Sequence, residues 1–297
     1  MHAPIALERS EFRPRAEYRA LPPSAPAARF HSGFFGGGEC EKEWAAGGRG
    51  GIYIRANFLF NSNMNGTPKL GYKDYIEGTR KVLDQSKQEK EPYTATVCGR
   101  DFVVFPNVFS PKYFHDTELF AENFPVRSGE VMLEIGPGTG AIAITAIHKG
   151  ASKVVAIDIN PDAVKNSQAN IERHHMQDKI DVRQGDLYEP LRQDEKFDTI
   201  CWNTPFGFVE DIDIPDLEKA VYDPQYKSTE QFIKKAKEHL NVDGRVLIGF
   251  STTLGKLDLL QKFVDEAGLE MHLIYEVESK ETHPVKFEIF EAIDKEL

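Results

Sequence analysis

Leu133-Glu134-Ile135-Gly136-Pro137-Gly138-Thr139-Gly140-Ala141 sets three alternating glycines directly after an apolar run. Glycines so spaced let the backbone turn tightly and approach a ligand, with the N-terminus of the next helix facing it. Asp158 closes the next apolar run, where a carboxylate can accept both hydroxyls of a ribose. Gly185-Asp186-Leu187 puts a second carboxylate where an adenine amino group can be read, and Asn203-Thr204-Pro205-Phe206 gathers an amide, a hydroxyl and a ring. The glycine run alone is ambiguous, because Gly136-x-Gly138-x-x-Ala141 also satisfies the dinucleotide fingerprint.

The elements that must hold these residues follow from periodicity. Val131–Ile135, Lys153–Ile159, Ile180–Arg183, Phe197–Asn203 and Arg245–Phe250 read as buried strands. Between them, Ala141–Ile147 reads as an apolar helix stopped by Gly150, and Asn160 caps a second helix with Pro161 at its first position. Helices are also expected over Thr229–Leu240 and Lys256–Ala267, and the chain closes on two adjacent strands, Met271–Val277 and Val285–Ile293. Strand–helix alternation predicts a parallel sheet covered on both faces, with an antiparallel hairpin at one edge. All four motifs then fall on the carboxyl edge of the sheet, where open α/β sheets bind ligands. Upstream, Tyr72–Gln85 has a helical period, and Tyr93–Val97 with Asp101–Phe109 suggests a hairpin around Gly99.

Composition narrows the function classes. The 297 residues carry 36 Lys+Arg against 47 Asp+Glu, a net charge of −11 that argues against nucleic acid as a partner. No apolar run reaches membrane-spanning length. Three well-separated cysteines form neither a disulfide framework nor a metal motif, which fits a cytoplasmic protein without a metal. Residues 1–63 are Arg-, Ala-, Pro- and Gly-rich and are expected to form a disordered or loosely attached extension, with Ile52–Phe60 the one stretch suited to a strand. Residues 64–118 are read as a lead-in or cap, and 119–297 as the main domain.

In combination these motifs resemble the class I S-adenosylmethionine-dependent methyltransferases. They are most similar to the small-domain group that includes the release-factor glutamine N-methyltransferases. Pro111-Lys112-Tyr113-Phe114-His115-Asp116-Thr117-Glu118-Leu119 is similar to that group's lead-in to the first core helix, and Val221-Tyr222-Asp223-Pro224 to its Tyr-Glu-Pro segment. The resemblance covers about residues 94–297. It implies a Rossmann-like, doubly wound α/β fold with a mostly parallel seven-stranded sheet and a C-terminal antiparallel hairpin. It also implies S-adenosylmethionine as cofactor. Glu134, Gly136, Gly138 and Gly140 would form the methionine-side loop, Asp158 would hold the ribose, Asp186 with Leu187 the adenine, and Asn203 would also border the cofactor. Asn203 through Phe206 would hold the methyl acceptor. Thr204 departs from the proline usual at its position.

Asn203 and the Thr204 carbonyl are expected to accept N–H bonds from an acceptor nitrogen, with Phe206 stacked against it. Tyr113 and His115 are candidates for acceptor contacts because the lead-in passes near the cofactor. Glu210 and Asp211 head an acidic loop, Glu210-Asp211-Ile212-Asp213-Ile214-Pro215-Asp216, expected to line the way to the acceptor and to attract a cation. The function implied is N-methylation of a small amine, an amino-acid-like compound or a peptide side chain. Protein glutamine and RNA adenine stand as alternative acceptors. From other classes, an NAD(P)-binding oxidoreductase would leave Asn203-Thr204-Pro205-Phe206 without a role, and a non-catalytic cofactor-binding subunit has only Thr204 in its favour. Oligomeric state cannot be read from the chain.

Overall fold

Strands covered on both faces need almost uninterrupted apolar residues, and β6 (Val131–Ile135) and β7 (Lys153–Asp158) bury all but their first residue. The computed structural model describes residues 72–279 and 284–296, with the backbone of β1 (Phe30–His31), β2 (Cys40–Ala46) and β3 (Ile52–Phe58) before them. Helix α1 (Tyr72–Ser86) and the hairpin β4 (Tyr93–Val97)–β5 (Arg100–Val104) precede α2 (Asp116–Asn123). After β6 come α3 (Ala141–Lys149), β7, α4 (Pro161–Arg173), β8 (Ile180–Gln184) and β9 (Phe197–Asn203). Short β10 (Gly207–Val209), α5 (Asp216–Lys219) and β11 (Tyr222–Pro224) lead to α6 (Lys227–Ala236). The chain finishes with β12 (Leu240–Phe250), α7 (Leu257–Glu266), β13 (Leu269–Glu278) and β14 (Lys286–Asp294).

The central sheet runs β13-β14-β12-β9-β6-β7-β8. Its strands are parallel except β14, which pairs antiparallel with both β12 and β13. This is the expected seven-stranded, doubly wound arrangement. Beyond β13 the sheet continues through β3, whose Ile54 and Arg55 pair in parallel with Tyr275 and Glu276, and then through β2 and β1. Of these three strands only β3 falls in the stretch suited to one, Ile52–Phe60. The remainder of 1–63 lies outside the described residues. One boundary also moves: β12 begins at Leu240 rather than Arg245, and the expected Asp243-Gly244 turn is a bulge inside it, with Asp243 at φ 61.

Two cores flank the sheet. Phe120 and Ala121 of α2, the apolar run of α3 and Ile171 of α4 bury one face, while Phe232 and Ile233 of α6 with Leu260 and Val264 of α7 bury the other. Helix α3 ends at Gly150 (φ 114), and α4 starts on the Asn160 side chain, which accepts from Asp162 N–H at 2.9 Å. The β4–β5 hairpin is held by two buried asparagines of α4. Asn170 Oδ1 and Asn166 Oδ1 each accept a backbone N–H at 2.7 Å, from Val103 and Phe105, and both amide nitrogens donate to the Val103 carbonyl. These side chains stand in for a missing strand. Helix α1 is anchored through Leu83 in a third cluster with Ile214, Leu217, Val221 and Tyr222, directly beside the segment that follows β9. Among the described residues no helix is long and apolar enough to cross a membrane.

Candidate active site

Two cavities meet at the carboxyl end of β9. The first, about 230 Å³, is walled by the glycine loop, the ends of β7 and β8, and Trp202, Asn203 and Pro205. Gly136, Gly138 and Gly140 all have positive φ, at 63, 56 and 79. At Gly136 a side chain is excluded twice over, since a Cβ there would lie 2.9 Å from Trp202 Nε1. Asp158 also lines this cavity and ties the loop together, accepting N–H bonds from Gly138 at 3.0 Å and Asn160 at 2.9 Å. Burial pushes its carboxyl up to about 6, the two N–H bonds offsetting only part of the cost. Asp186 and Leu187 line the same cavity, and burial raises Asp186 as well.

Glu134 lies beneath the loop rather than in its wall. It is buried, neither carboxyl oxygen has a hydrogen-bond partner, and burial raises it to about 8, with the Ala143 amide beside it a smaller opposing influence. At neutral pH it is mainly the neutral acid.

The second cavity, about 620 Å³, lies across the Asn203-Thr204-Pro205-Phe206 segment and is roofed by α1. Its walls are aromatic: Tyr75, Phe109, Tyr113, Phe114, Phe206, Tyr222 and Phe287. Asp74, His115, Asp116 and Glu278 supply its ionisable groups, and among the described residues no lysine or arginine lines it. Tyr113 and His115 both line this cavity, and the Tyr113 hydroxyl donates to Glu89 at 2.6 Å. Phe206 is a fixed wall, its ring centroid 6.0 to 6.2 Å from those of Phe120, Phe250 and Phe287. The close pairing of β10 with β11 depends on Gly207, where a Cβ would overlap the Tyr222 ring.

Asn203 sits at the junction. Its Nδ2 donates to Asp116 Oδ2 at 3.0 Å, while its Oδ1 is buried without a partner. Asp116 is buried, and burial raises its carboxyl, opposed first by the bond from Asn203. Thr204, the departure from proline, spends both polar groups internally: its hydroxyl donates to the Gly249 carbonyl at 2.7 Å and its N–H to the same oxygen at 3.1 Å. The substitution leaves the acceptor side without a new polar group.

The acidic loop departs from expectation. Glu210 and Asp211 line neither cavity, and Asp211 pairs with Lys227 at the surface. The loop turns back over the first cavity instead, to which it contributes Ile212, Asp213, Ile214 and Asp216. Sequence reasoning assigned no site role to Asp116, Thr117 or Trp202. Thr117 Oγ1 is buried and unpartnered on the wall of the first cavity. The signal for the first two was in the Asp116-Thr117-Glu118-Leu119 lead-in, which points back at the β9 end once α2 is folded.

The arrangement has relatives. A release factor glutamine methyltransferase of Geobacter sulfurreducens is 35% identical over 150 residues, 48% of this chain and 51% of that protein. A ribosomal protein L11 methyltransferase of Desulforamulus reducens is 32% identical over 176 residues, 58% of this chain and 50% of that protein. The chain thus spans about half the length of these curated relatives. A structure of Trm5 from Methanocaldococcus jannaschii in complex with adenosine superposes with a TM-score of 0.51 at 20% identity, over 70% of this chain and 58% of that one, a likeness of fold alone. The methyltransferase small domain model matches residues 99–271, more than half of the 297. The glycine cradle and the carboxylate at the end of β7 fit the adenosyl cofactor of that family. The chain belongs to the methyltransferase small-domain family, whose cofactor is S-adenosylmethionine.

Proposed function

We propose that the protein is an N-methyltransferase acting on a small amine or amino-acid-like compound. The observation that carries this reading is Asn203 Oδ1, a buried acceptor with no partner at the meeting point of the two cavities. A buried carbonyl oxygen left without a donor costs free energy, and an N–H of the methyl acceptor would supply one. When bound, S-adenosylmethionine supplies a methyl group already activated on a sulfonium, so the chain has chiefly to position and desolvate.

In this reading Glu134, Gly136, Gly138 and Gly140 shape the methionine side, Asp158 the ribose side, and Asp186 with Leu187 the adenine side. Asn203 holds the acceptor nitrogen with its lone pair toward the first cavity, Pro205 forms the near wall, and Phe206, Tyr113 and His115 enclose the acceptor. Methyl transfer would exchange the C–S bond for an N–C bond, and an amine that has lost its proton beforehand would leave as the methylated ammonium. The aromatic walls and the carboxylates of the second cavity favour an apolar body carrying positive charge, and the absence of lysine and arginine from its described lining disfavours phosphate. An ammonium acceptor reacts as its conjugate base. Glu210 and Asp211 are given no part. A cytoplasmic location accompanies the reading, supported by the free thiols of Cys98 and Cys201.

A second reading, a protein glutamine as acceptor, draws on the name of the Geobacter relative and on the same unpartnered amide oxygen. The test is methyl transfer from S-adenosylmethionine, followed by mass spectrometry, across aromatic and aliphatic primary amines, amino acids, a glutamine peptide and RNA. Amine methylation is expected. Transfer to RNA alone, or tight binding of NAD without binding of S-adenosylhomocysteine, would overturn the proposal.

A further inference from the structure

Asn203 can do its work only if its amide is turned one way. Both orientations of an amide fill nearly the same volume, so packing alone does not choose between them. The choice is made by Asp116 at the N-terminus of α2, whose carboxylate can only accept. It therefore takes the Nδ2 donor of Asn203, at 3.0 Å, and leaves Oδ1 on the other side, buried and without a hydrogen-bond partner. Asp116 is 7% exposed and lines the second cavity, while Asn203 lines the first, so this hydrogen bond joins the two.

We propose that Asp116 is a positioning residue that fixes the Asn203 amide with its oxygen toward the reacting nitrogen, so that the site selects acceptors bearing an N–H. The inference rests on the methyltransferase reading. It explains a local cost, since a carboxylate buried at this point would otherwise be replaced by a neutral side chain without loss. It also makes specificity a matter of polarity as well as shape. An acceptor atom without a hydrogen to donate, such as a tertiary amine, would leave Oδ1 unpaired in the closed site and be rejected on that ground.

The pair can be tested without knowing the acceptor, by comparing two cofactor analogues in the full chain. Sinefungin carries an amino group where the transferable methyl would be, and S-adenosylhomocysteine carries nothing there. The amino group of sinefungin meets an oxygen only when Asn203 is correctly turned. In wild type, sinefungin should bind the tighter of the two. Asp116→Asn, which keeps the shape but lets either face of the amide pair with Asn203, should weaken sinefungin about tenfold, the loss of one charge-assisted hydrogen bond, and change S-adenosylhomocysteine less than about twofold. Retained S-adenosylhomocysteine binding shows that the variant is folded. The exchanged pair, Asp116→Asn with Asn203→Asp, rebuilds the hydrogen bond with an oxygen toward the ligand and should restore the sinefungin preference, which a merely structural role would not predict. An unchanged preference in Asp116→Asn, or no recovery in the exchanged pair, would overturn the proposal. Failure of wild type to bind either analogue would instead overturn the methyltransferase reading, and this inference with it.

Discussion

The two cavities that meet beside Asn203 are built by opposite means. The cofactor side is made of short contiguous loops at the ends of neighbouring parallel strands, so that backbone amides and a few carboxylates define it. The acceptor side is assembled from α1, the residues after β9 and the ends of β13 and β14, brought together from across the chain by apolar packing. Its roof is tied down by contacts such as Tyr75 hydroxyl to the Pro284 carbonyl at 3.3 Å. A site set by backbone geometry tolerates little change and is shared among relatives. A site set by side chains from distant segments is free to vary.

If that division holds, damage on one side should leave the other intact. The largest effect is expected at Asp158→Ala, which removes the anchors of Gly138 and Asn160 together with the proposed ribose contacts. With each charge-assisted bond worth about 1.5–3 kcal/mol, the Kd for S-adenosylhomocysteine should rise by about two orders of magnitude in titration calorimetry. A change smaller than about threefold would move the cofactor elsewhere. Filling the acceptor cavity from its roof with Thr79→Trp should lower the rate of methyl transfer by roughly tenfold while the cofactor Kd stays within about twofold. Equal damage to both would mean that the cavities are one site.

Acid–base behaviour gives a finer test. Glu134 and Asp158 sit above their ordinary values, at about 8 and about 6, so folding favours their protonated forms. Their contribution to stability is full at low pH and is lost as pH rises through those values, the reverse of a salt-bridged carboxylate. Glu134→Gln should therefore melt several degrees above wild type at pH 9 and close to it at pH 4, as differential scanning calorimetry would record. Cofactor affinity, which needs Asp158 ionised, should fall below about pH 6. The smallest effect is expected for Glu210→Gln with Asp211→Asn: an acceptor KM within about twofold of wild type at low salt, because neither residue reaches a cavity. A clear rise in KM would return this loop to the path of the acceptor.

The same contrast governs what the chain disclosed before folding. Buried strands, the Asn160 cap and the glycine loop are local: periodicity and turn chemistry specify them, and Gly136, Asp158, Asp186 and Asn203 converge because the parallel topology leaves them one edge to occupy. The α1 roof, the asparagine clasp of Asn166 and Asn170, and the Asp116–Asn203 bond link residues 61 to 87 or more positions apart, and no local pattern announces them. Glu210 and Asp211 adjoin the Asn203 segment in sequence but line neither cavity. The β10–β11 pairing carries the chain away before the loop returns over the cofactor side. Thr204 departs from the usual proline, and its bonds to the Gly249 carbonyl are equally invisible in the local pattern.

The central claim is that Asn203 reads the methyl acceptor and not the cofactor. It is tested most directly in Asn203→Ala, by measuring the Kd for S-adenosylhomocysteine and the rate of methyl transfer to the best amine on the same preparation. The account predicts transfer reduced by about 100-fold or more, as for loss of one preorganised polar contact at a reacting centre, with the Kd within about threefold of wild type. A Kd weakened as much as the rate, or a rate left unchanged, would contradict it.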